Sequence, residues 1–360
     1  MPLKKLYPAL VAVIVTTFTT IPPANAGALF INNVGSITDS SVLGAINTAI
    51  SDVTSLYNTG SGAGNVTLNV DFTYSSAAAG NLASSSQYFY GYSYNAYTRA
   101  LKTDSKNNSG NTNLATAVSH LAYGNKGNMA ITYGQAFLLG QYGLGNPVFA
   151  GNDAINLSSS VTNWNFTGTA TSSQYDAIGA LEHELDELLG IGGGGSVLGD
   201  CAIDSFFCTY SLGATDLYRY SAAGTPSTST TSPTYLSING GNTSIVDFNT
   251  TSPGDYGDFA PACGPTSNNS GNNQYIQNAF NCMGMDETYS TSSPEYIATT
   301  AIGWDPAVST SVKKHSTSIL GASTSAGIQG TSTAVPEPST YILFATGLIA
   351  INELRRRRKV

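Results

Sequence analysis

The chain has 360 residues, of which only 10% are charged, with 14 Lys and Arg against 22 Asp and Glu. Residues 27–334 alone hold seven basic and 20 acidic side chains, a net charge near −13. A groove that tracks phosphates needs clustered Lys and Arg, so the balance speaks against nucleic acid as a partner.

In chain order, Lys4 and Lys5 come first, then the apolar stretch Ala9–Val15, then Ala24-Asn25-Ala26. A basic, an apolar and a small-residue region in that order predict a secretory signal peptide, residues 1–26, cut by signal peptidase after Ala26. The apolar stretch is short for a bilayer span, and Thr17–Thr20 and Pro22-Pro23 break it. A body of about 280 residues, 27–306, follows, enough for one large domain or two smaller ones.

Within the body, Val42, Leu43, Ile46, Ile50, Val53 and Leu56 recur at helical spacing and predict a helix over 41–57. Val66, Leu68, Val70, Phe72 and Tyr74 alternate, which predicts a half-buried strand. Residues 88–97 are dense in Tyr and Gly and suit packing cover better than a binding surface. A short helix is expected over 113–123, an extended piece around Met129–Tyr133, and a strand around Ile155 and Leu157. Residues 221–233 and 307–334 are rich in Ser and Thr; the first reads as a loop, the second as a flexible linker.

Residues 174–190 read as a helix with an apolar stripe of Ile178, Leu181, Leu185, Leu188 and Leu189, ended by Gly190, with Gly192–Gly195 continuing as loop. His183 and Glu187 stand four apart, one turn apart on the same face, with Glu184 beside His183. An imidazole nitrogen and a carboxylate oxygen at that spacing can bind one zinc ion, and a neighbouring Glu can take a proton from a water there. That is the logic of the His-Glu-x-x-His zinc peptidase helix, with the second His replaced here by Glu187. His183 and Glu187 are therefore candidate metal ligands and Glu184 the candidate general base. The competing reading is a solvated acidic helix face. Where metzincins keep a third His this chain has Gly193, which has no side chain to offer, so the third ligand is open. Asp216 is carried forward as the additional ligand, with Asp255 and Asp258 beside it. Those two, in Gly254-Asp-Tyr-Gly-Asp258, could equally form a turn or a calcium site. His120 suits an ordinary partly buried histidine, and His315 lies in the linker.

Cys201, Cys208, Cys263 and Cys282 make an even count, which in an exported chain favours two disulfides. Three connectivities are open; Cys201–Cys208 with Cys263–Cys282 closes the shortest loops. Pro294–Trp304 read as a last helix. Met283 and Met285 lie where a methionine turn under a metal would fall, although gap-filling packing explains them as well.

The chain ends with Pro336-Glu337-Pro338, an apolar stretch Tyr341–Ile351, and Arg355–Arg358 with Lys359. The basic cluster would hold its end on the cytoplasmic side while the tail pauses in the inner membrane. Residues 335–360 resemble the PEP-CTERM sorting domain. The resemblance implies recognition by an exosortase and delivery to the outer surface or extracellular matrix of a Gram-negative cell.

A wider stretch, residues 150–305, resembles exported bacterial metalloproteases that often bear such tails. The resemblance rests on Gln174-Tyr-Asp-Ala-Ile-Gly, His183-Glu-Leu-Asp-Glu-Leu-Leu-Gly, Asp216-Leu-Tyr-Arg-Tyr-Ser, Tyr235-Leu-Ser-Ile-Asn-Gly-Gly-Asn-Thr, Asp247-Phe-Asn, Gly254-Asp-Tyr-Gly-Asp-Phe and Ala301-Ile-Gly-Trp-Asp, in that order. It implies an α+β, zincin-like fold: a mixed sheet, a central active-site helix and a loop-rich C-terminal lobe. The expected function is a zinc-dependent endopeptidase acting on protein or peptide substrates. The alternative is a non-catalytic surface or matrix protein, associated with exopolysaccharide, that keeps the fold as a scaffold.

Overall fold

Alternating apolar side chains build the centre of the molecule. Leu68, Val70 and Phe72 point one way from one strand and Ile155 and Leu157 from its neighbour, all within the buried core. The computed structural model describes residues 30–57 (apart from Ser36), 66–76, 81–121, 127–145, 147–252, 254–261, 275–285 and 289–307, and a short strand at 335–336. The expected signal peptide, the linker beyond residue 307 and the apolar stretch of the tail lie outside the described residues. Among the described residues, no helix is long and apolar enough to cross a membrane.

In chain order, strand β1 (Phe30–Asn33) leads to helix α1 (Ser40–Leu56), strands β2 (Leu68–Ser75), β3 (Ala83–Ser86) and β4 (Phe89–Ser93), and helices α2 (Tyr94–Asn107) and α3 (Thr112–Ser119). Strand β5 (Asn128–Thr132), helix α4 (Tyr133–Leu139) and strands β6 (Asp153–Ser158), β7 (Trp164–Asn165) and β8 (Tyr175–Asp176) come next. The central helix α5 (Ala177–Leu189) is followed by two short helical segments, α6 (Gly192–Gly195) and α7 (Ser205–Thr209). Strands β9 (Arg219–Ala222), β10 (Thr225–Pro226), β11 (Tyr235–Leu236), β12 (Val246–Asp247) and β13 (Phe280–Asn281), helix α8 (Pro294–Ala301) and strand β14 (Val335–Pro336) complete the order.

The main sheet runs β1-β2-β6-β3. Its first three strands are parallel, and β3 is antiparallel to β6 at the edge. Helices α1 and α5 pack against each other, and α5 also touches β3 and β6, so the central helix lies against the edge of the sheet. A small antiparallel sheet, β10-β9-β11-β12, forms the C-terminal lobe with long loops around it. Helix α8 packs on α3 and α5. Strand β14, the first two residues of the Pro-Glu-Pro tail, pairs antiparallel with β13.

The architecture is thus mixed α+β, as expected, with element bounds close to those read from periodicity. Two details differ from the sequence reading or go beyond it. Gly192–Gly195 form a helical turn rather than an open loop. The Tyr-rich stretch becomes β4 and the start of α2, a helix that the sequence pattern did not reveal. Tyr94, Tyr97, Ala100, Leu101 and Asp104 form its buried face, at helical spacing but with too many polar groups to stand out. Tyr97 accepts a hydrogen bond from Gln135 Nε2 at 2.6 Å, so packing explains it.

The Cys201–Cys208 disulfide is formed and closes the segment after α6. Cys282 is also disulfide-bonded; Cys263, its expected partner, lies outside the described residues.

Among the described carboxyls outside the central helix, Asp104, Asp153 and Asp305 are buried at a cost in desolvation. Burial, with Asp305 nearby, raises Asp104 to about 7. Burial raises Asp153 to about 7 against a single backbone hydrogen bond from Tyr88, and raises Asp305 to about 6. Their unfolded values lie near 3.9. The folded state therefore binds more protons, and the stability these groups contribute is complete below about pH 4 and lost as pH rises through 6–7. In the presence of chelator, the unfolding free energy should fall between about pH 5 and pH 8. Asp104→Asn, which mimics the protonated form, should make that fall smaller by on the order of 2 kcal/mol. Denaturant titration at the two pH values measures it, and an unchanged slope in the variant would contradict the assignment.

Candidate metal centre

Both ends of α5 are fixed by local chemistry. Asp176 caps the N-terminus, its carboxylate accepting from Ile178 N at 2.9 Å. Gly190, with φ of 98°, ends the helix in the left-handed conformation. Trp304 Nε1 then donates to Leu189 O at 2.8 Å. Leu181, Leu185 and Leu188 fill the core, while Glu182, His183, Glu184, Asp186 and Glu187 are all at most 4% exposed. This excludes a solvated acidic face. An ionised side chain buried without compensation costs several kcal/mol, so such a concentration needs hydrogen bonds, counter-charges or a bound cation.

Two of these groups meet a third from the C-terminal lobe. His183 Nε2 lies 3.8 Å from Glu187 Oε1 and 4.0 Å from Asp258 Oδ1. One donor atom from each of the three residues falls within 4.8 Å of the others. Donors about 2.1 Å from a tetrahedral ion stand about 3.4 Å apart, so each atom would move by less than about an ångström to share one.

Each donor is held from behind. His183 Nδ1 is 2.9 Å from Ile276 O. A carbonyl only accepts, so Nδ1 carries a proton and Nε2 is turned toward the cluster. Gly193 N donates to Glu187 Oε1 at 3.0 Å, and Ser85 Oγ, on edge strand β3, donates to Glu187 Oε2. Asp258 sits at the end of a turn in which its own N–H donates to Asp255 O, and its carbonyl accepts from Asn249 N at 2.8 Å. Phe259 N donates to Gln277 O at 2.7 Å, which sets the Asp258 segment beside the Ile276–Gln277 segment that orients His183. Gln277 N in turn donates to Glu295 Oε1 of α8 at 3.1 Å. Burial holds the Glu295 carboxyl above its ordinary range, against that hydrogen bond.

The glycine run forms a wall of the site. A Cβ on Gly193 would overlap Glu187 Oε1 and come within 2.6 Å of Asp255 Oδ2, and one on Gly192 would overlap Gln277 Nε2. Position 193 thus serves Glu187 through its backbone N–H.

Asp216, the additional candidate ligand, stands outside this cluster. Its carboxylate accepts from Ser196 Oγ at 2.7 Å and Gly213 N at 2.8 Å, and pairs with Arg219 Nε at 3.3 Å. Arg219 is itself fully buried, with its guanidinium 3.6 Å from the centre of the Phe248 ring. Asp216 locks the lobe together. His120 is exposed and bonds within its own turn through Nδ1 to Thr116 O. Met283 accepts from Asn163 Nδ2 at 3.2 Å, a packing role.

Residues 334–359 match the PEP-CTERM protein-sorting motif. The chain carries a PEP-CTERM sorting signal. No curated protein and no solved structure matches the chain. With its PEP-CTERM signal the protein is exported, processed by an exosortase and destined for the cell surface.

Two substitutions separate the cluster from the lock. Asp216→Asn strips Arg219 of this counter-charge and should cost about 3–5 kcal/mol of stability while leaving zinc affinity nearly intact. Asp258→Asn should weaken zinc binding with a smaller effect on metal-free stability. Denaturant unfolding with chelator and a parallel zinc titration measure both. Zinc lost by Asp216→Asn in a still folded protein would make Asp216 a ligand.

Proposed function

We propose that the body is a zinc-dependent endopeptidase presented at the outer surface of a Gram-negative cell, with His183, Glu187 and Asp258 holding the ion. The observation that carries this reading is the convergence of one imidazole and two carboxylates, all buried, at the face of a single helix turn. The donor set of one nitrogen and two oxygens suits zinc better than calcium, which takes six or more oxygens.

The residues divide the work as follows. His183, with Nδ1–H tied to Ile276, presents Nε2. Glu187, steadied by Ser85 and Gly193, and Asp258, set by its turn, supply negative charge. Glu184 precedes Glu187 by three residues, which makes their Cβ atoms neighbours on the helix surface. It is assigned the general base, accepting the proton of a water positioned for attack on a peptide carbonyl and returning it to the leaving amine. Zinc, when bound, supplies Lewis acidity and lowers the pKa of water toward neutrality. Substrate access at β3 draws on that strand being the sheet edge beside α5.

A second reading is favoured by one observation: His183, Glu187 and Asp258 are at most 4% exposed. An ion so enclosed would act as a structural clasp between α5 and the C-terminal lobe. The protein would then be a non-catalytic surface or matrix component, with exopolysaccharide as a partner.

Glu184→Gln discriminates the two. If Glu184 is the base, the variant should bind zinc as the wild type does but lose at least about a hundredfold in peptide cleavage. A protein that binds zinc and cleaves neither unfolded protein nor a peptide library, in either form, would leave the structural clasp.

A further inference from the structure

Gln277 is fully buried and its carboxamide faces the cluster. Nε2 lies 3.0 Å from His183 Nε2 and 3.3 Å from Asp258 Oδ1. Its Oε1 has no hydrogen-bond partner among the described residues. The side chain is thus satisfied at its nitrogen and orphaned at its oxygen. The two ends of a carboxamide have nearly the same shape and exchange by a half-turn about χ3. An amide nitrogen offers no lone pair to a metal, but an amide oxygen does.

We propose that Gln277 is the fourth protein ligand of this centre and works in two orientations. Without metal, its NH2 group donates to His183 Nε2 and Asp258 Oδ1, placing partial positive charge where a cation would sit. With metal, the carboxamide turns over and Oε1, the acceptor left idle in the first state, joins His183, Glu187 and Asp258. The backbone is pinned on both sides for this role, by Glu295 at Gln277 N and by Phe259 at Gln277 O. The absence of a side chain at Gly192 leaves the space that the carboxamide occupies. The inference rests on the metal centre proposed above and adds a ligand that the His-Glu-x-x-Glu spacing does not contain. A neutral amide is a weaker donor than a carboxylate, so it is also the ligand most readily exchanged.

The test uses the full chain titrated with Co2+ alone, followed by its visible absorption and by competition with a chelator. The wild type should bind one ion. Gln277→Leu, which keeps the bulk and removes both donor and acceptor, should weaken binding about tenfold or more and shift the Co2+ absorption bands, because the coordination shell changes. Gln277→Glu, which keeps an oxygen in place, should bind at least as tightly as the wild type and needs metal to reach full stability. Unchanged affinity and spectrum in Gln277→Leu would overturn the proposal, as would tighter binding, which would make the carboxamide only a competitor of the ion. Should Gln277→Leu fail to fold, a tenfold loss in Gln277→Glu would overturn it equally. A wild type that binds no Co2+ would instead overturn the metal centre itself, and this ligand with it.

Discussion

The desolvation of α5 constrains everything around it. A thirteen-residue helix that carries Glu182, His183, Glu184, Asp186 and Glu187 into the interior loses the hydration of all five. Hydrogen bonds answer part of that cost. Asp186 accepts from Tyr289, whose hydroxyl also meets that of Tyr57 at 3.0 Å, and burial holds the Asp186 carboxyl well above its ordinary range. His183 and Glu187 are hydrogen-bonded too, by Ile276, Gly193 and Ser85, but here another carboxylate, Asp258, is also brought toward them. Concentrating negative charge in a dry site runs against stability unless a cation is part of the design. The loops of the C-terminal lobe make sense in that light. They are irregular in outline, yet tied residue by residue through Phe259, Gln277 and Glu295 to the position of one imidazole.

Much of the frame was legible in the sequence because it follows from short-range periodicity. The α1 stripe from Val42 to Leu56, the alternation in β2 and the Asp176-to-Gly190 helix all appear where apolar spacing puts them. Helix α2 was hidden because its buried face is built from Tyr97, Thr98 and Asp104, polar groups satisfied only in the folded state. The pair His183 and Glu187 was legible for the same reason as the helix, since four residues make one turn. The third group was not. Asp216, Asp255 and Asp258 are equivalent in a one-dimensional reading. What distinguishes them is long-range: a buried Arg219 engages Asp216, while pairing of the Phe259 and Gln277 segments delivers Asp258. Ser85 and Gln277 were missed altogether, since a Ser in an alternating strand and a Gln in a loop carry no signal until the chain brings them to a carboxylate and an imidazole.

The glycine run after α5 serves the site through its backbone. Seven and ten residues beyond His183, metzincins keep a glycine and then a histidine; here the second position is Gly193, with no side chain to offer. In this fold, a side chain there would strike Glu187 and approach Asp255, and its backbone N–H is what positions the Glu187 oxygen. The Cys201–Cys208 bridge and the Asp216–Arg219 pair lie in the segment between helix and lobe. These are features suited to a protein whose PEP-CTERM signal sends it outside the cytoplasm, where disulfides persist.

The most direct test of the central claim, that His183, Glu187 and Asp258 share one ion, is anomalous X-ray diffraction at the zinc edge from crystals of the protein grown with zinc. The account predicts a single strong peak within about 2.0–2.2 Å of His183 Nε2 and of one oxygen each from Glu187 and Asp258. A zinc peak at Asp216 or elsewhere, or a cluster that stays closed by hydrogen bonds with no peak between the three residues, would contradict it.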